Sequence, residues 1–297
     1  MTIYSQVSAN KFKTYLIIFF FILFITFFFY IAGLYYGNSS GYFVMGMIFS
    51  LVSGVGSYYY SDKIVLTMSG AKPADKKRFF DFYTSAENMA IAAGVPMPKL
   101  YVIEDSAPNA FATGRNPEHA VVAATTGLLE KLNRAEIEAV IAHEMSHVKN
   151  YDILLMSIVS VLVGMLMFVV DWISHSMFWG NRDDDNKNSG ILTLVILIVT
   201  LILTPIIASL IQMAISRKRE YLADASAALL TRRPEALATA LEKISSDRGA
   251  LKTASNGMAH MYIANPFAKK SKMTNWLSGL FSTHPPVEER IRLLRKM

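Results

Sequence analysis

Two histidines and a glutamate in the stretch IAHEMSHVKN, residues 141–150, have the spacing of a zinc site. Positions i and i+4 of a helix share one face, so His143 and His147 can both offer an imidazole nitrogen to one metal ion. Glu144 follows the first histidine directly, where its carboxylate can reach a water on that ion without binding the ion itself. This pattern predicts a zinc ion with a bound water that the carboxylate of Glu144 can reach. The alternative is a helix that carries two surface histidines and enters a membrane.

A third zinc ligand has to come from elsewhere in the chain, because a catalytic zinc ion takes three protein ligands and keeps one position for water. The chain has no cysteine, so a histidine or a carboxylate must supply it. Glu220, in SRKREYLADA, is the best candidate, and Asp224 one turn later can accept a hydrogen bond from a ligand histidine. If the HEMSH helix continues into the apolar run that follows, His147 lies about 9 Å from that run. We therefore expect the three ligands at similar depth beside a membrane.

The elements that position these side chains follow from capping and periodicity. Asn133 is an N-cap candidate with Glu136 three residues on, so we predict that the HEMSH helix starts there. A further helix is predicted over 80–94, where Gly94 and a following proline end it. Three segments read as strands: KLYVIED (99–105), NAFATG (109–114) and HAVVAAT (119–125).

Long apolar runs predict a membrane protein, since 53% of the 297 residues are hydrophobic. Four runs are candidate transmembrane helices: residues 14–36, 42–60, 153–179 and 191–215. Lysines and arginines flank these runs on one side, whereas the link between the third and fourth runs is net acidic. The positive-inside rule therefore places both termini and the catalytic residues in the cytoplasm. The same placement accounts for the net charge of +6 without a nucleic-acid partner.

We accordingly predict an α+β fold, mostly α, with four transmembrane helices and a cytoplasmic catalytic domain made from two separate parts of the chain. Residues 1–60 and 153–215 are the two membrane hairpins. Residues 61–152 carry the HExxH helix, and residues 216–297 carry the third ligand.

Five stretches in the predicted cytoplasmic parts also carry a resemblance to a known family: NAFATGR, HEMSH, the KNYD that follows it, SRKREYLAD and STHPP. From about residue 65 to the C-terminus, the chain resembles the HtpX-type membrane zinc metalloproteases, relatives of the CAAX prenyl endopeptidase family. The match includes the placement of two membrane helices between HExxH and the third ligand. The resemblance implies a zincin-like domain at the cytoplasmic face of a bacterial inner membrane, and a role in protein quality control.

Residue by residue, the resemblance implies one zinc ion per subunit, held by His143, His147 and Glu220. Glu144 would be the general base, which takes the proton of the attacking water and passes it to the departing amine. Asp224 would be the carboxylate behind a ligand histidine. The substrates that the family implies are membrane or misfolded proteins.

Further side chains are candidates to stabilise the transition state or to hold the substrate. His284 and Arg290, in THPPVEER, are candidates to stabilise the oxyanion of the tetrahedral intermediate, and the resemblance supports both. A helix cap and a surface base are their alternatives. Proteases often hold a peptide as an added strand at a sheet edge, for which NAFATG and HAVVAAT are the candidates. Asn109 and Ala110 are thus predicted to contact the peptide, with a simple hairpin turn as the alternative.

Two residues after the motif are predicted to pack rather than to act in catalysis. Asn150 and Asp152 are expected to close the HEMSH helix and fix its junction with the membrane run.

The sequence also leaves other functions open. An intramembrane protease would place the HEMSH helix in lipid, which its charged residues Glu136, Glu138 and Lys149 make costly. A membrane scaffold or transporter subunit would not need Glu144. A prenyl-protein endopeptidase is disfavoured, because the resemblance implies more membrane spans for it than four.

Overall fold

The structure is a computed structural model, and it describes residues 3–35, 37–179, 210, 216–247, 249–253, 257–267 and 285–297. These residues form many helices and one small sheet, which confirms the mostly α, α+β fold class. The fourth predicted membrane run, 191–215, lies outside the described residues except for residue 210. His284 also lies outside them.

The N-terminal part is a hairpin of two long helices, α1 (Ile3–Tyr35) and α2 (Ser39–Ser69). Phe29 packs directly on Gly46, where a side chain on α2 would collide with it, so the two backbones approach closely. Both helices are long and apolar enough to cross a membrane, over Val7–Ile31 in the first and over the whole of the second. The second helix runs nine residues beyond its predicted end at residue 60, to Ser69.

The sheet has four short strands: β1 (Lys72–Pro73), β2 (Lys99–Ile103), β3 (Ala110–Thr113) and β4 (Val121–Thr125). Their order β1-β2-β4-β3 places β3 at one edge, as predicted for NAFATG. The prediction of HAVVAAT as an edge strand is wrong. β4 pairs in parallel with β2 and antiparallel with β3, and all five of its residues are buried. Such an unbroken apolar strand is typical of the middle of a sheet.

The HEMSH helix, α5 (Arg134–Lys149), begins as the sequence predicts. Asn133 Oδ1 accepts a hydrogen bond from the Glu136 backbone N–H over 3.0 Å, and the Glu136 carboxylate accepts one from the Asn133 N–H over 2.8 Å. This capping box fixes the first turn. The helix then runs through the core that the sheet and the other helices form, where Ile141 and Met145 are among its fully buried side chains.

A sharp turn separates α5 from the next helix, α6 (Asp152–Trp179). Tyr151 has a φ of 58°, in the left-handed region that non-glycine residues rarely adopt. As a result α5 and the 152–167 part of α6 meet at 84°. The HEMSH helix does not continue straight into its apolar run, so the distance of about 9 Å that applies to a continuous helix does not hold for His147. Counted together, this bent pair would be the third span that the described residues offer.

The remaining described helices follow the hairpin in the chain, and several of them pack around α5. They are α3 (Phe80–Ala93), α4 (Thr126–Lys131), α7 (Arg217–Thr231), α8 (Pro234–Ser246) and α9 (Val287–Leu294), with 3-10 turns at Pro117–His119 and Ala259–Met261. Gly94 ends α3 with a φ of 67°, as predicted. α3, α7 and α8 all pack directly on α5, so the HEMSH residues face inwards.

Candidate metal centre

Three side chains from two neighbouring helices meet at one point. His143 and His147 project from one face of α5, and Glu220 projects from the first turn of α7. The two histidine Nε2 atoms are 3.2 Å apart. Glu220 Oε2 lies 3.8 Å from His143 Nε2, and Glu220 Oε1 lies 3.5 Å from His147 Nε2. One donor atom from each residue falls within 4.8 Å of the others, so this group of described residues can hold a metal ion.

A carboxylate also lies next to Nδ1 of each of the two histidines. His143 Nδ1 lies 3.0 Å from Asp224 Oδ1. His147 Nδ1 is hydrogen-bonded to Asp152 Oδ2 over 2.9 Å. With Asp224 and Asp152 on the Nδ1 side of the two rings, Nε2 of each ring points at the common centre, which is how metal-binding histidines are usually oriented.

The role of Asp152 beside a ligand goes beyond the packing role that the sequence suggested. Asp152 lies past the end of α5, and a straight helix would carry it away from the ligand pair. The turn at Tyr151 brings it back under His147. The sequence shows only that a carboxylate follows HExxH closely. It does not show in which direction the chain turns after α5, and so it does not place this carboxylate beside His147.

Glu144 lies beside the ligand group with 2% of its surface exposed. Burial raises the pKa of its carboxyl to about 7, and the nearby charge of Glu220 adds to the rise. The backbone N–H of Ala112, on β3, donates a hydrogen bond to this carboxylate and opposes the shift. The general-base candidate is thus placed between the metal ligands and the edge of the sheet.

Acidic side chains outnumber basic ones around the centre. Four buried carboxylates, from Glu144, Asp152, Glu220 and Asp224, face two buried guanidinium groups, from Arg219 and Arg290. Among these described side chains, carboxyl groups outnumber guanidinium groups, and such an acidic setting suits a bound cation.

Arg290 is buried against this group, with 0% of its surface exposed. Its Nε and Nη2 donate to Asp224 Oδ2 and Oδ1 over 2.8 and 2.7 Å. Its Nη1 lies 3.6 Å from Glu220 Oε2. The alternative of a surface base is therefore wrong for Arg290. Its predicted contact with an oxyanion stays a prediction, as does the same role for His284.

Asn109 and Ala110 lie at the start of the edge strand, next to another segment of the same chain. Ala110 O accepts a hydrogen bond from Ile263 N over 3.0 Å. Asn109 Nδ2 donates to Ala264 O over 3.0 Å. Residues 262–264 thus lie along this end of β3, where a peptide strand is predicted to bind. The substrate contacts of Asn109 and Ala110 stay a prediction.

The chain resembles known proteases over most of its length. A family model described as Peptidase family M48 matches residues 77–297. A protein named Protease HtpX homolog from Caldanaerobacter subterraneus subsp. tengcongensis is 45% identical over 300 residues, which covers 100% of this chain and 98% of that protein. A protein of the same name from Thermoanaerobacter pseudethanolicus is 43% identical over 300 residues, with coverage of 100% and 98%.

A solved structure shows a similar fold. The crystal structure of S. mikatae Ste24p matches with a TM-score of 0.50 at 19% identity and covers 98% of this chain. The present chain spans 66% of that longer one. At this identity the likeness concerns the fold alone.

Proposed function

The chain belongs to peptidase family M48, and on that premise we propose that it is a zinc-dependent endopeptidase of the bacterial inner membrane. In this proposal it hydrolyses peptide bonds of membrane or misfolded proteins at the cytoplasmic face, in protein quality control. The observation that carries the proposal is the meeting of His143, His147 and Glu220 within 4.8 Å, beside the buried Glu144.

The donor set favours zinc over harder divalent cations. Two imidazole nitrogens and one carboxylate oxygen are ligands that zinc takes at catalytic sites, whereas magnesium and calcium prefer all-oxygen sites. When bound, zinc supplies a Lewis acid for the scissile carbonyl and lowers the pKa of water towards about 7. Asp152 and Asp224 keep the two imidazoles in the tautomer and orientation that such binding needs.

Glu144 is proposed as the group that moves the proton. Its carboxylate accepts the proton of the attacking water and then delivers it to the nitrogen of the departing amine. The Ala112 N–H holds the carboxylate in place, and the surrounding core keeps bulk water away from it. Arg290 and His284 are proposed to stabilise the negative oxygen that develops on the substrate.

The substrate backbone is proposed to add as a strand to the outer edge of β3. Thr125 N donates to Asn109 O, so alternate residues of β3 turn their backbone groups towards β4. The backbone N–H and C=O groups of Ala110 and Ala112 therefore point to the outer edge of β3. Glu144 lies beside this edge, at Ala112. In the structure, residues 262–264 already occupy the Asn109 side chain and the Ala110 carbonyl by hydrogen bonds. A peptide can contact Asn109 and Ala110 only if residues 262–264 move aside.

The decisive experiment compares metal content and proteolysis in matched variants. The full chain is purified in detergent, and zinc content and casein cleavage are measured for wild type and Glu144→Gln. We expect zinc at about one per chain in both, with cleavage lost only in the variant. Glu138→Gln, the same change on the same helix but away from the ligands, should cleave like wild type. Unchanged cleavage by Glu144→Gln, or a wild type that binds no zinc, would contradict the proposal.

A further inference from the structure

A buried asparagine of the first membrane helix reaches the carboxylate behind the zinc ligands. Asn10, on α1, has 2% of its surface exposed. Its Nδ2 donates to Asp152 Oδ1 over 2.7 Å and to Asn150 O over 3.0 Å. Asn10 is therefore bonded to both residues that flank the turn between α5 and α6, although it stands more than a hundred residues earlier in the chain.

Asp152 divides its two oxygens between this contact and the metal centre. Oδ2 accepts the hydrogen bond of His147 Nδ1 over 2.9 Å. Oδ1 accepts from Asn10 and lies 3.4 Å from Arg219 Nη1. With donors on both oxygens, the carboxylate plane has little freedom to rotate. The direction of the His147 ring then depends on what holds Oδ1.

The same asparagine also holds the helix of the third ligand. Asn10 Oδ1 accepts a hydrogen bond from Arg219 Nη1 over 3.0 Å. Arg219 is buried and directly precedes Glu220 on α7. One side chain of α1 thus meets a donor from α7 and an acceptor from the start of α6. These two elements supply or orient two of the three ligands.

We infer that Asn10 is a positioning residue of the zinc centre, and that α1 is therefore part of the metal site as well as a membrane anchor. The inference rests on the proposed zinc site. The Asn10 side chain holds the Asp152 carboxylate in the orientation in which Oδ2 bonds His147 Nδ1. It also holds Arg219, so that the neighbouring Glu220 keeps its distance from the two histidines. Without the Asn10 amide, Asp152 Oδ1 loses one of its hydrogen-bond donors in a buried place. Both His147 and Glu220 are then held less firmly.

The inference is tested by zinc affinity, measured by chelator competition on the full chain in detergent. All variants carry Glu144→Gln to prevent self-cleavage. We expect Asp152→Ala to weaken zinc binding about 10- to 100-fold, the usual range for groups that orient a ligand. Asn10→Ala should weaken it by about 10-fold, at the low end of that range. In the presence of Asp152→Ala, Asn10→Ala should add less than it does alone, because the part of its effect that passes through Asp152 is already lost and only the part that passes through Arg219 remains.

A matched control separates positioning from general packing. Thr26 is another buried polar residue of α1, and its Oγ1 lies 3.1 Å from Ser50 Oγ of α2, within the membrane hairpin. Thr26→Val should lower the melting temperature of the zinc-free protein without weakening zinc binding. Asn10→Ala should in addition reduce the rise in melting temperature that zinc produces.

The outcomes are distinct. If Asn10→Ala binds zinc as tightly as the Glu144→Gln parent, or if it weakens binding by the same factor with and without Asp152→Ala, the inference is wrong. If the Ala variant does not fold, Asn10→Asp takes its place. That change keeps the size of the side chain and an acceptor for Arg219 but removes the donor to Asp152, and it should weaken zinc binding at least as much. Failure of the wild type to bind zinc would overturn the proposed function itself.

Discussion

Arg290 and Asp224 form a forked ion pair in the interior, with Nε to Oδ2 at 2.8 Å and Nη2 to Oδ1 at 2.7 Å. The same carboxylate lies 3.0 Å from Nδ1 of His143. Asp224 is therefore shared between a ligand histidine and an arginine near the C-terminus. Although burial raises the pKa of Asp224, Arg290 and His143 together lower it to about 2. The last described helix, α9, is tied to the metal centre through this pair.

Arg290→Gln should destabilise the fold and weaken metal binding together. The change leaves a buried carboxylate without its partner, which costs about 3–5 kcal/mol. Thermal or denaturant unfolding in detergent measures the loss. Arg295→Gln is the matched control, since Arg295 makes ion pairs with Glu235 and Glu242 at an exposed position. There we expect less than about 1 kcal/mol. Equal effects of the two changes would show that the buried pair contributes little.

Removal of metal should lower the melting temperature of the wild type. A ligand at a thousand times its dissociation constant stabilises a protein by about 4 kcal/mol, and that amount is lost on chelation. Adding zinc back should restore both the melting temperature and the cleavage of casein. Glu220→Gln, which removes the charged ligand from α7, should show a much smaller response to chelator and to zinc. A wild type that melts identically with and without chelator would argue against a metal that stabilises the fold.

Gly114→Ala should disrupt the end of the edge strand. Gly114 has a φ of 137°, where an L side chain is strained, and a Cβ there would collide with His119 O. Backbone strain of this kind costs about 1–3 kcal/mol, and the collision adds to it. Unfolding measurements in detergent give the size of the effect. Gly56→Ala is the control, because a Cβ there has nothing within 4 Å. If both variants unfold alike, the turn after β3 tolerates a side chain.

Asn133→Ala should destabilise the HEMSH helix at its start without altering the zinc site. The lost cap costs about 1 kcal/mol. Zinc affinity should stay at the wild-type value, since Asn133 lies more than two turns before His143. Asn133→Asp keeps an N-cap acceptor and should unfold like wild type. A fall in zinc affinity for Asn133→Ala would mean that the start of α5 controls its ligand face.

The parts of the site that the sequence predicts are those set by local geometry. His143 and His147 share a face because any α-helix places i and i+4 together. Asn133 and Glu136 form the predicted capping box from neighbouring positions. Glu220 can be proposed from the sequence because the absence of cysteine leaves only a histidine or a carboxylate as the third ligand. Each of these rests on a short stretch of residues and on general rules of helix and zinc chemistry.

The parts that the sequence does not predict depend on contacts between distant segments. The segment HAVVAAT, which contains β4, has the composition of any short apolar strand. Only its pairing with β2 on one side and β3 on the other makes β4 a central strand. The left-handed Tyr151 has no composition signal, since glycine or asparagine is the usual residue there. The bond between Asn10 and Asp152 spans 142 residues of sequence. Such a contact is invisible to periodicity, because each partner alone looks like an ordinary polar residue near a membrane end.

The 84° turn between α5 and α6 has a consequence for where a substrate is cut. If α6 stands upright in the bilayer, α5 runs flat beneath it, and His143 and His147 keep an equal height below the lipid. Under the proposed function, a polypeptide that emerges from the bilayer would then be cleaved at a fixed distance from its last embedded residue. Extended chain advances about 3.3–3.6 Å per residue. Inserting residues next to the membrane segment of a substrate should therefore move the cut by the same number of residues, whatever their side chains.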